Sequence, residues 1–133
     1  NAPGVDLPVV CYCRSKFHEY PEYHTSADNL ELVTPEGLQG SYEVMTQVIR
    51  ALEYNENYRI KVICEPMLSK RGLYPTISQK GSYDSVQNMM DFIAYADGRN
   101  DLIGISNIIG VPISELIVII EKLMEKDLLE VMS

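Results

Sequence analysis

From Tyr83 onward the chain repeats one pattern three times: apolar residues recur at spacings of three and four, and each run stops at a turn signal. Val86, Met89, Met90 and Ile93 make the first stripe, closed by Asp97-Gly98, which reads as a helix-ending turn. Asp101 stands at an N-cap position ahead of Leu102, Ile105, Ile108 and Ile109. Gly110-Val111-Pro112 then turns the chain into a third stripe of Ile113, Leu116, Ile119, Ile120, Leu123 and Met124. Leu128 to Met132 reads as a terminal strand. An amphipathic helix must bury its apolar stripe against a neighbour, so three in succession dictate a small helical domain. The glycine turn between the second and third helices and the strand behind them predict a winged helix-turn-helix module over residues 81–133.

Charge bears on what such a module can bind. The 133 residues carry a net charge of −8. Residues 81–133 hold nine acids (Asp84, Asp91, Asp97, Asp101, Glu115, Glu121, Glu125, Asp127, Glu130) against three bases (Arg99, Lys122, Lys126), or −6 of that total. A DNA-reading helix presents Lys or Arg to phosphates and base edges. The third helix offers Ser114, Glu115, Glu121, Lys122, Glu125 and Lys126 instead. The expectation is therefore an interaction or packing module that binds no nucleic acid and no anionic membrane. The longest apolar run, Leu116 to Ile120, is far below the roughly 18–20 residues of a membrane span.

The first half has another character. Leu7-Pro8-Val9-Val10-Cys11-Tyr12-Cys13 is almost continuously apolar, as in a strand buried on both faces of a helix-covered sheet. Arg14 to Leu32 is polar and aromatic, with Pro21 in the middle and no helical period, and reads as a long loop of the kind that carries function. Thr34-Pro35 is an N-cap followed by Pro at the first helical position, and Leu38, Tyr42, Met45, Val48, Ile49 and Leu52 continue as a helical stripe. Gly37 and Gly40 weaken that helix locally and invite close approach of another backbone. Tyr58 to Glu65 reads as a short strand, and Met67 to Gly81 as a connector. The composition, 46% hydrophobic and 23% charged, is ordinary for a globular chain and excludes collagen-like and disordered classes. The opening Asn1-Ala2-Pro3-Gly4, without Met or a signal-like run, suggests a piece of something longer.

Cys11, Cys13 and Cys64 show no disulfide framework and fit a reducing cytoplasm. Two residues apart in an extended stretch, Cys11 and Cys13 share a face and read as small buried hydrophobes. Pro21-Glu22-Tyr23-His24-Thr25-Ser26-Ala27-Asp28-Asn29 is the strongest chemical feature. A His beyond the carboxyl end of a strand lies where α/β sheets bind ligands, and a carboxylate four residues on can orient its second nitrogen. By spacing alone, His24 reads either as a metal ligand or as a loop residue bonded locally. Arg14 and Lys16 flank the loop as candidate carboxylate receivers or solvated charges, and Tyr20, Tyr23, Tyr74 and Glu22 either line a pocket or pack.

Longer stretches carry a resemblance. Arg14-Ser15-Lys16-Phe17-His18-Glu19-Tyr20-Pro21-Glu22-Tyr23-His24-Thr25-Ser26-Ala27-Asp28-Asn29-Leu30 resembles the last metal-ligand segment of a bacterial family of zinc aminopeptidase-like proteins, relatives of the leucyl aminopeptidases and glutamate carboxypeptidases. The likeness extends to Ala2 through Pro8, to Thr34-Pro35-Glu36-Gly37-Leu38, and to Cys64-Glu65-Pro66-Met67-Leu68-Ser69-Lys70-Arg71-Gly72-Leu73-Tyr74-Pro75-Thr76. His18 and Ser69 stand where Gly is more typical, and Ala27 where Leu is. The resemblance implies that His24 is a C-terminal zinc ligand, with Asp28 supporting it; among the loop residues weighed above, Arg14 and Tyr23 are the candidates for substrate contact. The other ligands, usually a His, an Asp and a Glu, and the Glu acting as general base have no counterpart here, so no catalytic residue lies in this chain.

The sequence therefore predicts an α/β chain in three parts. Residues 1–60 are the C-terminal strand-loop-helix piece of a zinc-exopeptidase-like sheet domain, 61–80 a connector, and 81–133 the winged module. The whole protein is expected to be a cytoplasmic zinc hydrolase acting on a peptide or amide small molecule, and a bare strand in residues 1–60 to drive self-association. The rival readings are a non-catalytic interaction or regulatory module and a metal-dead relative.

Overall fold

The computed structural model describes residues 3–74 and 82–132 and divides into two compact units, Asn1–Met45 and Thr46–Ser133. The elements are α1 (Pro35–Glu53), β1 (Asn57–Ile60), α2 (Ser82–Tyr95), β2 (Asp97–Asp101), α3 (Leu102–Ile109), α4 (Ile113–Glu125) and β3 (Leu129–Met132). The division between the units falls inside α1.

The second unit holds the core. β1 is the middle strand of an antiparallel sheet ordered β2-β1-β3. Its pairing with β3 runs in register from Asn57↔Met132 to Ile60↔Leu129, while that with β2 shifts between Asn57 and Arg59. Tyr58 from β1, Met89 and Phe92 from α2, Leu102 and Ile105 from α3, and Leu129 from β3 are all buried together. α4 adds Leu116, Ile117, Ile119, Ile120 and Leu123; of the stripe its spacing predicts, Ile113 is half-buried and Met124 exposed, while Ile117 joins the buried face. At about 1.5–3 kcal/mol for each side chain fully removed from water, these five make α4 the largest single contributor of apolar surface.

Local signals explain the elements. The Asp101 carboxylate accepts from the Gly104 N–H at 2.7 Å and so caps α3. Asn55 completes that cap from outside the helix: its Oδ1 accepts from the Ile103 N–H at 3.0 Å and its Nδ2 donates to Asp101 at 3.2 Å. Gly110, at φ 69°, ends α3 in the left-handed conformation and donates to the Ser106 carbonyl at 2.9 Å. That is the turn expected from Gly110-Val111-Pro112. α4 ends less visibly in sequence: Asp127 takes the left-handed position and the Leu128 N–H reaches back to the Leu123 carbonyl at 2.9 Å. The Asp127 carboxylate then pairs with Lys61, and Arg59 donates to Glu130 at 2.8 Å across β1 and β3.

Four expectations change. Asp97-Gly98 is no mere helix-ending turn but opens β2, a strand without apolar alternation that forms because β1 offers it a hydrogen-bonding edge. The strand expected over Tyr58–Glu65 stops at Ile60; the chain bends from Lys61, and Cys64 sits at φ 69°. Asn57–Ile60 and the fully buried Leu68, in a short 3₁₀ turn (Leu68–Arg71), share the winged module's core, so they group with it and not with the preceding segment or a connector. The rest of the expected connector, residues 75–81, lies outside the described residues.

A further change concerns Leu7–Cys13, which forms no strand. Val9 and Val10 are 74% and 91% exposed, and Cys11 and Cys13 are exposed rather than buried. A strand needs a neighbour to take its backbone donors and acceptors, and no described segment pairs with this one. α1 forms as expected, yet none of its residues is buried, and Leu38, Tyr42, Ile49 and Leu52 are each more than half exposed.

Removing the α3 cap with Asp101→Ala is expected to lower stability by about 1–2 kcal/mol, read from the denaturation midpoint of the whole chain. A second test uses Tyr58, whose hydroxyl donates to the Tyr54 carbonyl at 2.8 Å and whose burial pushes its phenol up to about 12. The folded chain keeps this proton after the unfolded chain loses its own near pH 10 (about the ordinary tyrosine value), so stability is full below that pH and falls as pH rises toward 12. Denaturation across that window is expected to show a shallower decline for Tyr58→Phe than for the native chain.

Candidate functional site

The loop after Cys13 is built from consecutive tight turns. Glu19, Tyr23, Thr25 and Asp28 each donate a backbone N–H to the carbonyl three residues earlier, at 3.0–3.3 Å. His18 and His24 both adopt left-handed backbone, at φ 70° and 58°. Tyr23 is the hub of the loop's side-chain packing. Its ring stacks on His24 with centroids 4.0 Å apart and 14° between planes, meets His18 edge-on at 4.6 Å, and contacts Tyr20 and Phe17 at 5.6 and 5.8 Å.

Arg14 locks the loop to α1. Thr34 caps the helix, its Oγ1 accepting from the Gly37 N–H at 3.1 Å. The Arg14 guanidinium donates to the Gly37 carbonyl at 2.9 Å, and the Ser41 hydroxyl donates to the same oxygen at 2.9 Å. A Cβ on Gly40 would come within 3.3 Å of Arg14 Nη1, and one on Gly37 within 3.6 Å. The two glycines thus admit a side chain, not the second backbone that their spacing suggested, and a planar cation fits where helical side chains would stand.

Between these parts lies an open cavity of about 500 Å³, lined among others by Tyr12, Cys13, Arg14, Tyr20, Asp28 and Ser41. Arg14 and Asp28 therefore share one cavity, whereas Tyr23 and His24 are not among its walls. The Asp28 carboxylate has no hydrogen-bond or ion-pair partner among the described residues. Burial, and then the charge of Asp28, push the Tyr20 phenol up. His24 is exposed and likewise accepts and donates no hydrogen bond among the described residues. The contributions of Tyr12 and Cys13 were missed from sequence; their only signal is the i, i+2 alternation that sends Cys11 and Cys13 to one side.

A zinc site needs about three protein ligands besides its water. Among the described residues no group of three or more His, Cys, Asp or Glu side chains is placed to hold a metal ion. A single exposed imidazole does not make such a site, so the donor set of this chain by itself does not fit zinc, and no catalytic step is assigned to it.

On α4, the face turned to solvent carries Glu115, Glu121, Lys122 and Glu125. Asn88 donates to Glu115 at 3.3 Å, and Tyr54 donates to Glu121 at 2.8 Å with Arg50 3.6 Å from the same oxygen. The hydrogen bond to Glu121 and burial together push the Tyr54 phenol up. No single helix is long and apolar enough to cross a membrane among the described residues.

Three helices with a tight α3–α4 turn on a three-stranded sheet define a winged helix-turn-helix. The family model for the winged helix-turn-helix matches residues 56–131, more than half of the chain, and the chain belongs to that family. Residues 1–55 match a family described as a domain of unknown function (DUF4910). The chain is also 37% identical over 108 residues to a protein of Clostridium acetobutylicum provisionally named a polysaccharide biosynthesis protein with aminopeptidase-like domain. That match covers 80% of this chain and 25% of the relative, so the chain spans about a quarter of the relative's length. No solved structure matches.

Replacing Arg14 with Ala is expected to speed amide exchange in the first two turns of α1, because the Gly37 carbonyl loses its external donor. The denaturation midpoint of the winged helix-turn-helix unit is expected to stay within about 0.5 kcal/mol of native. Hydrogen-exchange mass spectrometry resolves the two regions.

Proposed function

We propose that the chain is the C-terminal part of a zinc-dependent aminopeptidase-like hydrolase related to the leucyl aminopeptidases and glutamate carboxypeptidases, with the winged module serving interaction with protein. The observation that carries this reading is the 37% identity to a protein with an aminopeptidase-like domain. In this reading the substrate is a peptide or related amide, and zinc supplies Lewis-acid activation of a bound water when present. His24 is one ligand, which accords with its exposed ring and lack of a hydrogen-bond partner among the described residues. Asp28 supports it, and Arg14 and Tyr23 contact substrate. Arg14 already spends one N–H on Gly37, which leaves the rest of its fork for a carboxylate. The remaining ligands and the general base belong to residues outside these 133.

The acid-rich α4 supports a protein partner over nucleic acid, since Glu115, Glu121 and Glu125 stand where phosphate contacts would have to be. Three free thiols accord with a cytoplasmic setting, and no membrane contact is part of the reading. The exposed apolar residues of Leu7–Val10 and α1 support self-association of this piece, a reading that monomeric sedimentation would overturn.

The test compares the longer protein with its His24→Ala variant for bound zinc and for turnover of an aminoacyl chromogenic substrate. Loss of a metal ligand is expected to reduce both by at least about tenfold. Unchanged metal content and turnover would remove His24 from the zinc site. In a gel-shift at low salt the 133-residue chain is expected to leave duplex DNA unretarded, and sequence-specific retardation would overturn the protein-partner reading.

A further inference from the structure

We propose that Cys11 and Cys13 form a reversible modification site, a dithiol that a low-molecular-weight disulfide closes into an intramolecular bond. The inference rests on the geometry of the pair and is independent of the zinc reading. The two Sγ atoms lie 3.5 Å apart in hydrogen-bonding contact, and both residues are exposed. A disulfide requires about 2.05 Å, so an approach of about 1.5 Å closes the bond. The backbone there can supply it: Leu7–Cys13 belongs to no strand, and apart from a bond between the Val9 N–H and the Leu7 carbonyl its described backbone makes no turn or ladder bonds. Cys64, also exposed, has no thiol partner among the described residues and serves as an internal reference.

The chemistry balances with the external disulfide as the oxidant. One cysteine, as thiolate, attacks a sulfur of that disulfide, breaks its S–S bond and releases one small thiol, leaving a mixed disulfide on the protein. The second cysteine gives its proton to solvent, attacks the protein sulfur of the mixed disulfide and releases the other small thiol. Two protein thiols lose two electrons, and one external disulfide becomes two thiols. The hydrogen bond to Cys11 pushes the Cys13 thiol up, so Cys13 holds its proton longer in the reduced pair. Only Tyr12 separates the two sulfurs in sequence, so the closed ring is tight, and a tight ring is readily reduced again. Cys13 and Tyr12 are walls of the cavity that also holds Arg14 and Asp28, so closure would pin one side of that cavity.

Intact-mass analysis of the 133-residue chain after exposure to oxidised glutathione tests the proposal. The expected product has lost about 2 Da, keeps one alkylatable thiol, and recovers its mass and all three thiols on reduction. Cys64→Ser is expected to show the same loss and no free thiol, while Cys11→Ser retains glutathione as a stable adduct on Cys13. Glutathione adducts accumulating on all three cysteines of the native chain without that mass loss would overturn the proposal, as would a Cys64-linked dimer as the main product.

Discussion

Tyr58 is the contact around which the second unit is organised. It lies on the central strand, packs its ring 6.1 Å from that of Phe92 in α2, and sends its hydroxyl back to the Tyr54 carbonyl at the end of α1. One residue thus joins the sheet, the helical layer and the segment that precedes both. Its burial also explains why β1 is central although only four residues long: an aromatic side chain of this size can anchor a short strand that backbone pairing by itself would not hold.

The first unit shows the opposite balance. Its aromatic loop is ordered by turns and by stacking around Tyr23, and its helix by a threonine cap and an arginine strap, while Val9, Val10 and the α1 stripe stay in water. Local bonds of this kind define a conformation without burying much surface. Among the described residues the α1 stripe is exposed or half-buried rather than buried.

How legible all this was in the sequence follows the same divide. α3 and α4 could be read closely because periodicity, the Asp101 cap and Gly110 all report on interactions within a few residues. β2 was hidden because Asp97 to Asp101 carries no apolar alternation; it is a strand only by virtue of β1, a partner about forty residues earlier. Leu7–Cys13 failed the other way: its composition states what environment it wants, and composition does not supply the neighbouring strands. At the candidate site the loop and its His and Asp were visible, but that Arg14 and Asp28 line one cavity and His24 does not depends on turn geometry that no spacing rule encodes. The glycines at 37 and 40 were recognised as a place of close approach, and only the identity of what approaches was misread.

Asn55 is the feature with the widest reach. It belongs by family resemblance to the preceding domain, yet its side-chain amide closes the cap of α3, and its neighbour Tyr54 holds both Tyr58 and Glu121. Sequence kinship and mechanical autonomy therefore part company here. The winged helix-turn-helix, as matched by its family, begins at residue 56. As a folded body it borrows the last turn of the helix before it, so a recombination or excision drawn along the family boundary would transfer the domain without one of its own fastenings.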